Sequence, residues 1–338
     1  MKRTALKSLT VVALAVFAIA TASTASAQRR RRPTVPPNAV SFLPASEAIA
    51  TVDVRRLFNQ TIPQVFGGDA AKLAQFNAEL DKFKTKTGID PRSFDRLVAG
   101  VRYNYPSPKL IKVESVAIVQ GTFDGKALAA KAKEVAGDDY REERYRGRKI
   151  SIITINGDLK LLGLWDVNVR ELAACVLEPH TLAIGSPANV RAAINTGRTG
   201  LRANAALVTL ARRDPNAVVG FGANLPAKLL DNVDFDNDQL MKDARSIKQV
   251  YGSMGTAEND FALLLIARTE SPEAAKSLNE TAMGLKQLGS ILVMRINEPQ
   301  LKALTQSALD NLKITIRGNE LELSVRVAAS SIASILNN

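Results

Sequence analysis

The chain has 338 residues and a formal charge of +12, with 45 Lys and Arg against 33 Asp and Glu, one Cys and one His. One histidine and one cysteine exclude zinc, haem and iron–sulfur centres, which need several such ligands, and leave no internal disulfide. The length allows a large apolar core, as one large or two ordinary domains.

Residues 1–27 read as a secretion signal. Lys2, Arg3 and Lys7 precede an apolar run from Leu9 to Ala20, and Ala25-Ser26-Ala27 offers small residues for cleavage before Gln28. The run dissolves into Thr21, Ser23, Thr24 and Ser26, short of the ~20 apolar residues of a membrane span. The expected location is therefore the periplasm or the extracellular space. Positions 28–40 follow as a tail in which Arg29, Arg30, Arg31 and Arg32 lead into Pro33, Pro36 and Pro37, a composition that cannot bury apolar surface.

The mature body predicts an α+β fold of two similar lobes, 41–200 and 201–338, each an antiparallel sheet of hairpins and meander packed on amphipathic helices. Ala48 to Val54 is a strand running into helix around Arg55 to Val65. Ala70 to Lys86 is a helix with Leu73, Phe76, Leu80 and Phe83 on one stripe, ended by Gly88. Leu97 to Tyr103 and Val113 to Thr122 are strands, and Asp124 caps a helix to about Val135. A four-strand meander is expected from Lys149 to Gly185, with turns at Asn156-Gly157 and Glu178-Pro179-His180-Thr181, before Ser186-Pro187 opens a helix.

The second half repeats the order. Ala217 to Gly222 runs into Leu225 to Leu230, Asp236 caps a helix to Val250 with Gln239 as its partner, and Ser253 to Glu258 precedes Phe261 to Ala267. The latter is apolar without alternation, as a strand buried on both faces would be. Ser271-Pro272-Glu273 opens a long helix with Ala274, Leu278, Ala282, Leu285 and Leu292 as an apolar stripe. A final hairpin turns at Gly318-Asn319. Its register sets Ile316 against Leu321 and Ile314 against Leu323 on the core side, and Arg317 against Glu320 on a face that is exposed or covered by something polar.

Searches for chemistry fail class by class. His180 sits in a turn after Pro179, and Cys175 is five extended residues away, about 16 Å, so the two cannot share a proton. Gly252-Ser253-Met254-Gly255 lacks the residue that a serine elbow needs between glycine and serine. Gly121 to Lys126 is one residue short of a phosphate loop and has Ala127 where a hydroxyl belongs. Gly220-Phe221-Gly222 is followed by Leu225 in place of a third glycine. Asp231, Asp234, Asp236 and Asp238 have the spacing of a calcium loop in part, but Gln239 and Arg245 stand where the turn glycine and the bidentate glutamate belong. No cofactor or metal is expected.

Two basic stretches are candidate contacts for an anionic polymer or membrane surface, weakening as salt rises. One is Arg29 to Arg32. The other is Arg144, Arg146, Arg148 and Lys149, with Arg141 nearby and Tyr140 and Tyr145 interleaved; Glu142 and Glu143 interrupt it, as in a charged strand edge. Specific nucleic-acid recognition is not expected, because Arg148 follows Arg146-Gly147 where the RNA-reading strand carries an aromatic.

Ser115-Val116-Ala117-Ile118-Val119-Gln120-Gly121, Arg146-Gly147-Arg148-Lys149-Ile150, Thr181-Leu182-Ala183-Ile184-Gly185-Ser186 and Ala217-Val218-Val219-Gly220 resemble a family of uncharacterised exported bacterial proteins with two α+β lobes. The resemblance implies the fold and brings no activity. The expected function is a non-catalytic exported protein that binds an unidentified macromolecule in the envelope or outside the cell. A carrier of lipid or another apolar ligand is the alternative, and a carboxylate-dependent hydrolase is the third reading.

Overall fold

The computed structural model describes residues 39–66, 69–107, 110–161, 165–199, 205–230, 237–258, 260–329 and 331. The expected signal, nearly all of the tail with Arg29 to Arg32, and Asp231, Asp234 and Asp236 lie outside the described residues. The fold is α+β, antiparallel sheet with helices. Contacts group the described residues up to Ile62 with Ala70–Ala205 in one unit, and Pro63–Asp69 with those from Ala206 onward in another.

The first unit holds β1 (Ala48–Asp53), β2 (Phe94–Ser107), β3 (Leu110–Gly121), β4 (Tyr140–Tyr145), β5 (Arg148–Leu161), β6 (Trp165–Glu178) and β7 (Thr181–Gly185). Its longer helices are α1 (Ala70–Thr87), α2 (Gly125–Ala136) and α3 (Pro187–Thr199), and short helical turns over Val54–Arg56 and Leu57–Thr61 follow β1 as expected. The strands lie in the order β1-β2-β3-β7-β6-β5-β4, with antiparallel neighbours. On one face Val54, Phe58 and Leu80 pack on Leu97, Ala99 and Val119, with Phe76 beside them, so the α1 stripe meets the sheet as its spacing predicts. Full burial of each such side chain stabilises by about 1.5–3 kcal/mol.

The other face buries Ile49, Val98 and Ile118. Gly100 lies on it, and a side chain there would run into Ser46 and Leu43, so the 39–46 segment sits directly on the strand. Helix ends follow local chemistry. Asp124 Oδ1 accepts from the N–H of Lys126 at 2.8 Å and of Ala127 at 3.1 Å, and Gly88, at φ 74°, closes α1 on the Lys84 carbonyl at 2.7 Å.

Two sequence expectations change here. Asn156-Gly157 is not a turn: β5 runs through it with a register shift between Thr154 and Gly157, so the pair makes a bulge within a long strand. The meander begins one strand earlier than Lys149, at β4.

The second unit holds β8 (Val219–Asn224), β9 (Ile247–Ala257), β10 (Asp260–Thr269), β11 (Lys313–Arg317) and β12 (Glu320–Ala328), in the order β8-β9-β10-β12-β11. Its helices are α4 (Ala205–Ala211), α5 (Asp238–Ser246), α6 (Pro272–Val293) and α7 (Pro299–Asp310). Both units trace three strands, a helix after the first and another after the third, then a meander whose last strand pairs with the third. The meander has four strands in the first unit and two in the second, among the described residues.

In the second unit Leu278 and Ala282 of α6 cover Ala267, Leu321, Leu323, Ile314 and Ile247. The last hairpin has the expected register, Ile314 opposite Leu323, Ile316 opposite Leu321 and Arg317 opposite Glu320, but Ile316 is 37% exposed. Strand β10 is not buried on both faces. Ile266 and Ala267 are buried while Leu263 is exposed, because the strand leaves the cover of α6 toward Asp260. The helix expected to reach Val250 ends at Ser246, where the chain turns into β9, and its cap is Asn237, which accepts from Leu240 N–H at 2.9 Å.

Candidate functional site

The basic residues predicted between Arg144 and Lys149 gather on the β4–β5 hairpin, whose turn is Arg146 (φ 50°) and Gly147 (φ 81°). That is the two-residue turn whose twist suits a hairpin. The charge there is largely spent within the unit. Lys149 Nζ lies 2.8 Å from Glu142, Arg148 donates to the Val176 carbonyl at 3.1 Å, and Arg146 stacks 5.8 Å over the Tyr145 ring. Glu143, the interrupting acid, receives Arg191 at 2.7 Å, and this hydrogen bond holds its carboxyl below the usual range. Arg144 projects into solvent, and Tyr145 is tied to Asn195. The hairpin is a charge-guarded edge rather than a groove.

The nucleophile candidates are placed as structural residues. Cys175 is buried opposite Ala183, and burial pushes its thiol up to about 11, far from a reactive thiolate. His180 is exposed in the β6–β7 turn with Nδ1 3.3 Å from the Gly121 carbonyl oxygen. Ser253 lies inside β9 and donates to Asp214 Oδ2 at 3.1 Å. Among the described residues no three His, Cys, Asp or Glu side chains converge as a metal site.

One face of the second unit's sheet carries the polar cover that the last hairpin implied. Tyr251, fully buried, donates to Glu320 Oε1 at 2.7 Å and accepts from Arg213 at 2.5 Å. Arg268 adds bonds of 2.9 and 2.7 Å to the same oxygen and donates to Gln249 at 2.6 Å; Gln249 donates in turn to Asn224 at 2.8 Å. The guanidinium groups of Arg213 and Arg268 stand 5.2 and 5.4 Å from the Tyr251 ring centroid. Burial pushes the Glu320 carboxyl up, but the hydrogen bonds from Tyr251 and Arg268 prevail and hold it below the usual range. A carboxylate so engaged is a poor general base, and the gap beside it, lined by Arg213, Asp214, Tyr251 and Ser253, holds only about 20 Å³. Arg317 pairs loosely with Glu322 at 3.9 Å and leaves Glu320 to Arg268.

A second polar knot joins α5 to α6. Buried Asp243 accepts from Thr281 at 2.6 Å, Ser277 at 2.7 Å and Gln239 at 3.0 Å. Next to it an open cleft of about 460 Å³ is lined by Asp238, Met241, Lys242, Arg245, Ser246 and Glu270, a mixed-charge surface rather than an apolar chamber.

The feature with no internal explanation is the second half of α6. Met283, Leu285, Leu288, Ile291, Leu292 and Met294 are each between 47% and 65% exposed, and Leu301 at the start of α7 joins them. On the sheet side Leu278 is buried, Gly289 faces Leu309 of α7 and Val293 is buried, so the packed face of the helix is already satisfied. The stripe read from the sequence is therefore split: Leu278 is core, whereas Leu285 and Leu292 are solvent-facing. The overlooked signal is that Met283, Leu288, Ile291 and Met294 lie off the stripe, so apolar side chains spread over more than half of the helix circumference here, beside Lys286, Gln287 and Ser290. A helix of that character needs cover that this unit does not supply.

No family model matches the chain, and no curated protein matches it. Three crystal forms of a protein named TP0453 are similar in structure. Form III has a TM-score of 0.46 and 10% identity over 90% of this chain and 98% of that one. Forms IV and I have TM-scores of 0.43, with 9% and 8% identity over 88% and 90% of this chain and 96% and 98% of theirs. Likeness at this level carries no statement about family or activity.

Proposed function

We propose that the protein is a non-catalytic, exported binding protein that acts by contact, with the exposed apolar end of α6 and the start of α7 as its contact surface for a larger partner. The observation that carries this reading is the run of exposed large apolar side chains from Met283 to Leu301, on a helix whose inner face is already packed. Monomeric proteins rarely leave contiguous apolar patches of more than a few hundred Å² open, and such patches mark binding surfaces. Export rests on the signal at 1–27, and the resemblance to exported proteins with two α+β lobes agrees with it; the repeated strand path is read as an internal duplication. The basic tail, Arg29 to Arg32, is an accessory contact for anionic groups, and Arg144, Arg146, Arg148 and Lys149 are at most a minor addition to it.

A photoreactive residue at position 288, introduced into the full chain in the exporting cell, tests the reading. A discrete crosslinked species, lost when the label is moved to buried Leu278, is expected. Recovery of substrate turnover in vitro that depends on a carboxylate would replace the reading with the hydrolase.

A further inference from the structure

We infer that β4 is a self-complementary edge through which two copies of this chain pair, antiparallel, into a continuous sheet. The surface is separate from the apolar end of α6 and does not depend on it. β4 is the last strand of its sheet, and among the described residues it pairs with β5 on one side alone. Tyr145 and Arg148 flank the two-residue turn and so exchange hydrogen bonds, which directs the backbone groups of Glu143 and Arg141 toward β5 as well. The N–H and C=O groups of Glu142 and Arg144 therefore point outward. They have no partner among the described residues, whereas the Tyr140 N–H is already held by the Gly137 carbonyl. An open edge of this kind is a template for another strand.

The residues of the strand say which one. Tyr140-Arg141-Glu142-Glu143-Arg144-Tyr145 reads the same in both directions. Antiparallel pairing about the midpoint of that palindrome would set Glu against Glu and Arg against Arg. It would also match an outward-pointing backbone with an inward-pointing one, so no ladder forms in that register. Moving the axis by half a residue, onto Glu143, restores the ladder. Glu142 of each copy then faces Arg144 of the other, each such pair exchanges both of its N–H···O=C bonds, and Arg141 lies opposite the ring of Tyr145. An axis on Glu142 would instead need the Tyr140 N–H that Gly137 occupies. Arg144 is exposed and has no side-chain partner among the described residues, so this pairing uses the one cation of the strand that its own chain leaves unspent. Glu143 meets its copy at the axis, where Arg191 at 2.7 Å and Arg141 at 3.8 Å offset each carboxylate. Mixed charge thus guards the edge against foreign strands and admits its own copy. The outer strand β11, with Lys313 and Arg317 and no acid, lacks this complementarity.

The test is sedimentation velocity of the mature protein, purified from the exporting cell, over about 1 to 100 μM chain. A monomer–dimer equilibrium is expected. Arg144→Glu alone and Glu142→Arg alone should each weaken it by roughly tenfold or more, with the thermal transition unchanged, because each sets like charges opposite one another. Mixed in equal amounts, the two variants should recover a dimer, since every Glu at these positions again faces an Arg. Should either variant fail to fold, Glu143→Cys tests the register by itself. Mild oxidation should link two copies through position 143, which the axis brings within disulfide reach, while Cys175 stays buried. A monomer throughout the range, a dimer that neither charge variant weakens, or variants that do not pair on mixing overturns the inference. So does a disulfide from position 143 to a different protein while the pure chain stays monomeric, which would give the edge to that protein.

Discussion

Thr281 on α6 donates a 2.6 Å hydrogen bond to Oδ2 of Asp243 on α5, and Ser277, one turn earlier, donates at 2.7 Å to the other carboxylate oxygen. With Gln239 the buried charge has three neutral donors at its oxygens. This knot anchors the half of α6 that packs on the sheet, and the exposed ridge begins two residues past Thr281.

Replacing Asp243 with Ala should cost about 2–3 kcal/mol, since three bonds to a buried charge are lost and their donors are left facing a cavity. Burial pushes this carboxyl up, but the bonds from Thr281, Ser277 and Gln239 outweigh burial and hold it below its ordinary value. A depressed carboxyl stabilises above its unfolded pKa of about 3.9 and loses that contribution as pH falls through the folded value. The stability gap between wild type and Asp243→Asn, from urea melts, should therefore be constant near neutrality and narrow below about pH 4.

Tyr251 is the centre of the polar face. Tyr251→Phe keeps the ring between Arg213 and Arg268 but removes a donor to Glu320 and an acceptor for Arg213. A loss of about 1–2 kcal/mol is expected, since Arg268 still holds Glu320. Urea denaturation with an unchanged m-value would show that the loss is local.

Gly252 has a structural role. A side chain there would strike the Leu264 carbonyl across the ladder and the Phe221 ring, so Gly252→Ala should destabilise by about 1–3 kcal/mol by overpacking, while Ser253→Ala costs about 1 kcal/mol or less. The near-elbow Gly252-Ser253-Met254-Gly255 is explained by close strand packing.

Features decided by neighbours in sequence were legible in it. The Asp124 and Ser271 caps, the Gly88 stop and the register of the final hairpin need only local geometry, and each was read at the right residue. Features decided by distant packing were not. Asn156-Gly157 has turn chemistry, yet pairing of β5 with β6 carries the strand through it as a bulge. Phe261 to Ala267 reads as doubly buried, yet only its second end is covered. The candidate surface was hidden for the same reason: periodicity shows that α6 is apolar on one side but not where along its length the sheet stops.

Cys175 should behave as an inert core residue. With burial holding its thiol at about 11, alkylation by iodoacetamide at pH 8 should be negligible in the folded chain and complete within minutes in urea. Rapid labelling of the native protein would mean that the β6–β7 pair, which lies inside the sheet between β3 and β5, opens far more readily than its buried neighbours Leu177 and Ala183 imply.

Leu278 and Leu292 belong to one stripe in the sequence, and the structure gives them opposite energetics. Leu278 is buried against Ala267 and Leu321, so Leu278→Ala should cost about 2–4 kcal/mol through lost transfer energy and the cavity left behind. Leu292 is 58% exposed, so Leu292→Ala should stay within about 0.5 kcal/mol of wild type. Thermal melts of the two single variants decide this directly. Equal losses would mean that the second half of α6 is packed within the chain in solution, and the ridge would then cease to be a surface. A large loss at Leu278 alone would leave the ridge free to be covered by something else, at little cost to the fold that presents it.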